Sequence, residues 1–167
     1  MKRVAGLGVV LAVGVLLLVS CDEGLKPKIT VQVGSFSGQI HYSNWPPRDS
    51  LFDLRLVAFR TFPPRDIVSE VLSGRAYVYP GLGDTALVPF FVDSLRYMVT
   101  VPTGKYEYVV IAQQHGPNVN TDWRPVGQHD LDTDPSTPSP IEVTADSLLT
   151  GIDIWVDFRN PPPAPFK

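Results

Sequence analysis

The sequence predicts an all-β protein, a Greek-key β-sandwich of about seven to nine strands with at most one short helix. Three observations carry that prediction. From Ile29 onward, short alternating or apolar runs are broken by proline and glycine. All 17 prolines follow Ser20 and are spread over nearly every gap between runs; proline lacks the donor that a ladder or a helix interior needs, so it punctuates many short elements. No helical stretch of about 10–15 residues lies between the runs, which excludes a parallel α/β fold.

In chain order the candidate strands are residues 30–33, 36–42, 51–62, 75–79, 87–92, 95–101, 106–113, 124–129, 141–144 and 151–158, close to the spacing of a sandwich. Three of them read as central. Leu54-Arg55-Leu56-Val57-Ala58-Phe59 and Tyr106-Glu107-Tyr108-Val109-Val110-Ile111-Ala112 carry apolar residues on both alternating sets, so both faces are covered. The last run alternates more strictly. Ile152, Ile154, Val156 and Phe158 share one face, while Asp153 and Asp157 point away with Trp155 between them. One helix fits, over residues 65–73, where Ile67, Val68, Val71 and Leu72 recur at 3.6 spacing and Gly74 can cap the end. Phe90-Phe91, flanked by Val88 and Val92, reads as an edge strand meeting a partner or as core.

The N-terminus reads as an address. Met1-Lys2-Arg3 is a short positive segment, and residues 4–19 are apolar and uncharged. As a helix that run rises about 24 Å, short of the roughly 30 Å hydrocarbon core, which suits a cleaved signal peptide better than a span. No second apolar run approaches spanning length, so a polytopic membrane protein is excluded. Past Ser20 the chain keeps all 17 of its acidic residues but loses Lys2 and Arg3 from its 14 basic ones. That acidic balance excludes a basic nucleic-acid binder.

Cys21 is the single cysteine, so no intramolecular disulfide forms. The segment Leu18-Val19-Ser20-Cys21 resembles the lipobox of bacterial lipoproteins. The resemblance implies that diacylglycerol is joined to the Cys21 thiol, that cleavage precedes this residue, and that the new N-terminus is acylated, with palmitate as the expected chain. Two or three acyl chains, at about 0.8 kcal/mol per buried CH₂, make such attachment effectively permanent. The expected location is the bacterial cell envelope, with the outer membrane as the expected side. Asp22-Glu23 resembles an inner-membrane retention signal of enterobacteria and a surface-export signal of other bacterial groups, so the leaflet stays open. The expected organisation is a signal peptide over 1–20, lipidated cysteine and tether over 21–34, a β-sandwich over 35–159 and a Pro-rich tail over 160–167.

Within the sandwich, several pieces follow one another in a telling order. Phe36-Ser37-Gly38-Gln39-Ile40 leads to the Trp45-Pro46-Pro47 loop and Leu54-Arg55-Leu56-Val57-Ala58-Phe59. Val101-Pro102-Thr103-Gly104-Lys105-Tyr106-Glu107-Tyr108 then precedes Ile141-Glu142-Val143 and Gly151-Ile152-Asp153-Ile154. Over about residues 35–158 this order is similar to carboxypeptidase regulatory-like and transthyretin-like (prealbumin-like) β-sandwich domains. The resemblance implies a non-catalytic module, structural or ligand-binding. Residues 61–92 form a longer middle than that pattern has. The Pro-x-Gly piece has its own logic: Pro102 fixes φ on entry and Gly104 can take φ > 0 before the strand resumes.

A search for a catalytic nucleophile returns nothing, while carboxylate pairs of the glycosidic type stay open. There is no G-x-S-x-G segment, and Ser50, Ser69 and Ser94 sit in turn or strand-edge contexts. His41, His115 and His129 show no H-x-H or H-E-x-x-H spacing. Gly81-Leu82-Gly83-Asp84 reads as a turn and has no phosphate-loop lysine. Asp130-Leu131-Asp132-Thr133-Asp134 places three carboxylates on one side of an extended loop, as Ca²⁺ requires. The calcium-loop pattern then fails, because Pro135 stands where Gly is needed and Ile141 where Glu is needed, so an Asp-rich turn is the plainer reading. No cofactor is otherwise expected. Trp45 and Trp123, with Tyr42 and Tyr79, are the candidates for stacking on a sugar; the plainer reading of each tryptophan is a ring plugging the sandwich end.

The expectation is a non-enzymatic, lipid-anchored envelope module serving protein interaction or envelope structure. The alternative is a lipoprotein binding carbohydrate or a small ligand through loop aromatics. Partners would be the membrane, through the anchor, and an envelope protein or a glycan, with no nucleic acid.

Overall fold

Ten short strands and one short α-helix account for the regular structure of a computed structural model that describes residues 30–82, 84, 88–132 and 134–166. The leader, Cys21 and the tether as far as residue 29 lie outside the described residues. All that follows concerns the unit Gln32–Lys167. The strands are β1 (Val33–Ser43), β2 (Asp53–Phe59), β3 (Ala76–Tyr79), β4 (Ser94–Pro102), β5 (Gly104–Tyr106), β6 (Tyr108–Gln114), β7 (Trp123–Gln128), β8 (Ile141–Val143), β9 (Leu148–Leu149) and β10 (Ile154–Asp157). Helix α1 (Ile67–Leu72) follows β2, and a 3-10 turn occupies Arg48–Ser50. The fold is all-β, as the sequence predicts.

One mixed sheet runs in the order β3-β2-β6-β7-β10-β1-β4, with β9 added on β1, and β5 pairs β8 in a separate two-stranded ladder. Most pairs are antiparallel, but β10 lies parallel to β1, with Ile154 opposite Ile40. This register joins the first and last pieces of the sequence pattern. The Ile152 N–H donates to the Ser37 carbonyl, and the Gln39 N–H donates to the Asp153 carboxylate at 2.8 Å. A Cβ at Gly38 would lie 2.0 Å from the Ile152 carbonyl oxygen, so only glycine permits this approach.

The sheet curls around its own core. Leu54, Leu56 and Ala58 of β2 share one buried cluster with Tyr97, Val99 and Val101 of β4, although these strands lie far apart along the sheet. Phe36 and Ile40 of β1, Ile154 and Val156 of β10, and Tyr106, Ile141 and Val143 of the small ladder complete it. Each fully buried large apolar side chain contributes about 1.5–3 kcal/mol. A second, smaller cluster forms on the opposite face of β2 and β6, where Val57, Phe59, Tyr108 and Val110 meet Ile67 of α1. This explains why both of those runs are apolar on both alternating sets.

Arg60, just past β2, ties the two ends of the curl together. Its guanidinium donates to the carbonyls of Thr103 (3.0 Å) and Pro102 (3.3 Å) in the β4–β5 turn. It lies 4.4 Å from the Tyr106 ring centre and 5.7 Å from that of Tyr77. Gly104, at φ 121°, leaves the space: a Cβ there would sit 2.5 Å from Nη1. The left-handed turn expected at Gly104 is therefore present, and its smallness also seats the arginine.

Several elements differ from expectation. Residues 30–33 and 36–42 do not form two strands; Val33 onward is one continuous strand, because Gly34 marks a close pass under the Thr144 carbonyl rather than a break. Residues 88–92 are not a strand: Pro89 offers no donor and Phe91 adopts φ 59°. The run 106–113 divides at Glu107, whose N–H turns to the Phe59 carbonyl, so β5 and β6 enter different sheets. Helix α1 is where expected, capped by Asp66, which accepts from the Ser69 N–H at 2.7 Å, and followed by Gly74 at φ 72°. Its buried face keeps part of the expected stripe, since Ile67 is buried and Val71 packs on the second apolar cluster. Leu72 departs from it at 74% exposed, and Glu70 is buried instead, accepting two bonds from Arg75.

Candidate functional site

Trp45 is a structural plug. Its ring packs within 4.7–5.2 Å of Phe158, Tyr42 and Phe91, and its Nε1 donates to the Val92 carbonyl at 3.0 Å. Tyr42 is buried beneath it, and burial pushes its phenol well above the ordinary tyrosine range. Trp123 is half-buried against the second apolar cluster and donates from Nε1 to the Val119 carbonyl at 2.8 Å. It lines a cavity of about 320 Å³ with Val57, Ile67, Val78 and the paired Arg55 and Asp53. The two tryptophans occupy different clusters and form no joint platform. Tyr79 lies exposed on the edge strand β3.

Asp130, Asp132 and Asp134 form consecutive turns rather than a cage. Asp130 accepts from the Asp132 N–H (3.2 Å), Asp132 from the Asp134 N–H (2.7 Å), and Asp134 from the Ser136 N–H (3.0 Å). The Ser136 hydroxyl, with its N–H, holds the Asp134 carboxyl below the ordinary range. Each carboxylate is bonded to its own loop, and among the described residues no three acidic, histidine or cysteine side chains gather closely enough to hold a metal ion. Of the histidines, His129 is buried with Nδ1 3.1 Å from the Asp153 carbonyl, and His115 lies on an exposed loop.

The feature that sequence reasoning left out of the candidate list is Trp155. It is 64% exposed on the outer face of β10 and stacks on His41 of β1, with ring centres 5.1 Å apart and planes 16° apart. The parallel register sets His41 directly opposite Trp155. The pair borders a groove of about 660 Å³. Gln128 and Gly127 of β7, Asp130 and Asp132, Asp157 and Asn160, and the prolines of residues 161–163 line it. The tail thus folds back as a wall, and beyond it Phe166 packs on the second apolar cluster. Alternation in the last strand was the available signal, since it already placed Trp155 between two outward aspartates.

The groove is acidic and ordered. The Asp157 carboxylate accepts from Asn44 Nδ2 (2.8 Å) and the Arg159 N–H (3.0 Å), which hold it below the ordinary carboxylate range. Gln128 Nε2 donates to Asp130 (3.1 Å) and to the Pro135 carbonyl (3.0 Å). No lysine or arginine lines the groove among the described residues. Such an arrangement offers one flat aromatic face and several acceptors fixed around it.

No family model matches the chain. No curated protein matches it either. Among solved structures, the chain is similar to a leucine-rich repeat protein from Bacteroides thetaiotaomicron VPI-5482, at 10% identity and a TM-score of 0.38. The match covers 77% of this chain and 14% of that one.

Proposed function

We propose that this chain is a lipid-anchored, non-catalytic module of the bacterial cell envelope that works by presenting the outer face of its sheet to a partner. The anchor rests on Leu18-Val19-Ser20-Cys21, with lipid on Cys21 and Asp22 to Ile29 as the start of the tether. Among the described residues no helix is long and apolar enough to cross a membrane. The observation that carries the binding role is the groove beside Trp155, an exposed indole stacked on His41 on the outer sheet face. The Asp130 and Asp132 carboxylates are instead bonded within their own turns, and the buried His129 ring is bonded to the Asp153 carbonyl.

The fold reading that accompanies this function is a transthyretin-like Greek-key sandwich whose two layers are the two halves of the curled sheet. The adjacency of Ser37-Gly38-Gln39-Ile40 to Ile152-Asp153-Ile154 supports it.

The test of the anchor is expression of the full chain in a bacterium fed labelled palmitate. Label on the wild-type chain, its loss in Cys21→Ala and recovery of the wild type with membranes are the expected results. An unlabelled wild-type chain would overturn the anchor.

A further inference from the structure

We infer that the groove beside Trp155 is a binding site for a neutral oligosaccharide. The inference deepens the reading of a binding module and is independent of the lipid anchor, which palmitate labelling tests separately.

Three features point to that ligand class. The first is the platform. His41 covers one face of the Trp155 indole, and 64% of the residue is still exposed, so the other face is open to stack on the apolar C–H face of a sugar ring. The pair sits on adjacent strands in fixed register, so it needs little ordering on binding.

The second is the polar surround. A sugar presents hydroxyl donors around its rim, and the groove presents carboxylate and amide acceptors on Asp130, Asp132, Asp157 and Gln128. Bonds from neighbouring groups hold most of these in place before any ligand arrives. A pocket with one apolar surface and a few placed polar groups is the usual form of a small-ligand site.

The third is charge. With three aspartates and no lysine or arginine in the lining, an acidic polysaccharide is repelled. A cationic peptide is the competing occupant, and the lysine-rich probe below decides between the two. Asp157 already accepts from Asn44 and the Arg159 N–H, and Asp130 from Gln128, Ser139 and the Asp132 N–H. What those carboxylates still offer is acceptor capacity, which the hydroxyls of a sugar stacked on Trp155 can fill.

The experiment is titration of the full chain, purified in detergent, with hexasaccharides of glucose, xylose and mannose in several linkages. Polygalacturonate and a lysine-rich peptide serve as the charged probes. Saturable binding of at least one neutral hexasaccharide is expected, with a loss of tenfold or more in Trp155→Ala and near-wild-type binding in Trp123→Ala. Because Trp155 is exposed, Trp155→Ala should melt within about 2 °C of wild type. Trp155→Tyr, which keeps a ring, should restore part of the affinity and so separates a lost platform from a lost fold. Three results would each overturn the inference: no neutral glycan binding, undiminished binding in Trp155→Ala, or binding of either charged probe in preference to every neutral one.

Discussion

Removing the Arg60 side chain tests whether the curl of the sheet is held from its ends. In Arg60→Ala the Thr103 carbonyl loses its donor, while the Pro102 carbonyl keeps the Tyr106 hydroxyl at 2.6 Å. One charge-assisted hydrogen bond is worth about 1.5–3 kcal/mol, and the contact with the Tyr106 ring adds about 0.5–1 kcal/mol at a half-buried site. Partial exposure of the guanidinium puts the expected loss near the lower end, about 2–3 kcal/mol. For a domain of this size each kcal/mol moves the melting temperature by roughly 3–5 °C, so a fall of about 6–15 °C is expected by near-UV circular dichroism. Arg60→Lys should recover less than half, since one ammonium cannot bridge two carbonyls and also lie flat on a ring. Gly104→Ala should cost a similar amount, through a Cβ 2.5 Å from Nη1 and a φ of 121°. The double variant should lose less than the sum, because each change displaces the same contact. A fall below about 2 °C in Arg60→Ala, or full additivity with Gly104→Ala, would refute the clasp.

Four further outcomes are expected. Gly38→Ala should fail to fold or lose several kcal/mol, because its Cβ meets backbone at 2.0 Å with no flexible group to give way; expression and a thermal melt check this. Tyr108→Phe should leave stability unchanged or raise it by about 1 kcal/mol, since its buried hydroxyl has no partner among the described residues, whereas Tyr97→Phe should lower it by removing the bond to the Ile152 carbonyl. Trp45→Ala should cost about 3 kcal/mol in urea unfolding while leaving any glycan binding intact, as befits a plug. On acidification, helix α1 should loosen first. The Arg75 bonds lower Glu70, and the Ser69 N–H lowers Asp66, below their ordinary values. A carboxyl depressed in the folded state adds stability above its unfolded pKa and loses it as pH falls through the folded one. The protection factors of the α1 amides, taken relative to intrinsic exchange at each pH, should therefore be flat from about pH 7 to 5 and fall below about pH 4, with a shallower acid slope in Glu70→Gln.

The strand pattern of this chain was largely legible because its signals are local. Proline spacing separated the runs, alternation gave the faces of β10, and the doubly apolar runs marked β2 and β6 as covered on both sides. The failures have local causes that compete with pattern. Residues 88–92 are apolar enough for a strand, yet Pro89 and the left-handed Phe91 bend them into a loop. Leu148–Leu149 is too short to announce itself and pairs only because β1 passes beside it. For the site, aromatic residues in polar loops drew attention to Trp45 and Trp123. Loop composition does not reveal that Phe158 and Phe91 close over one of them and the second apolar cluster holds the other.

By itself the sequence determined what depends on neighbours along the chain: the all-β class, the single short helix and the outward placement of Trp155. Only the tertiary structure decided what depends on residues brought together from afar. The parallel pairing of β10 with β1 set His41 beneath Trp155 across more than a hundred residues, and the return of the tail walled the groove. No local pattern encodes such pairings, because register across a sheet is chosen by the whole set of faces that must be buried at once.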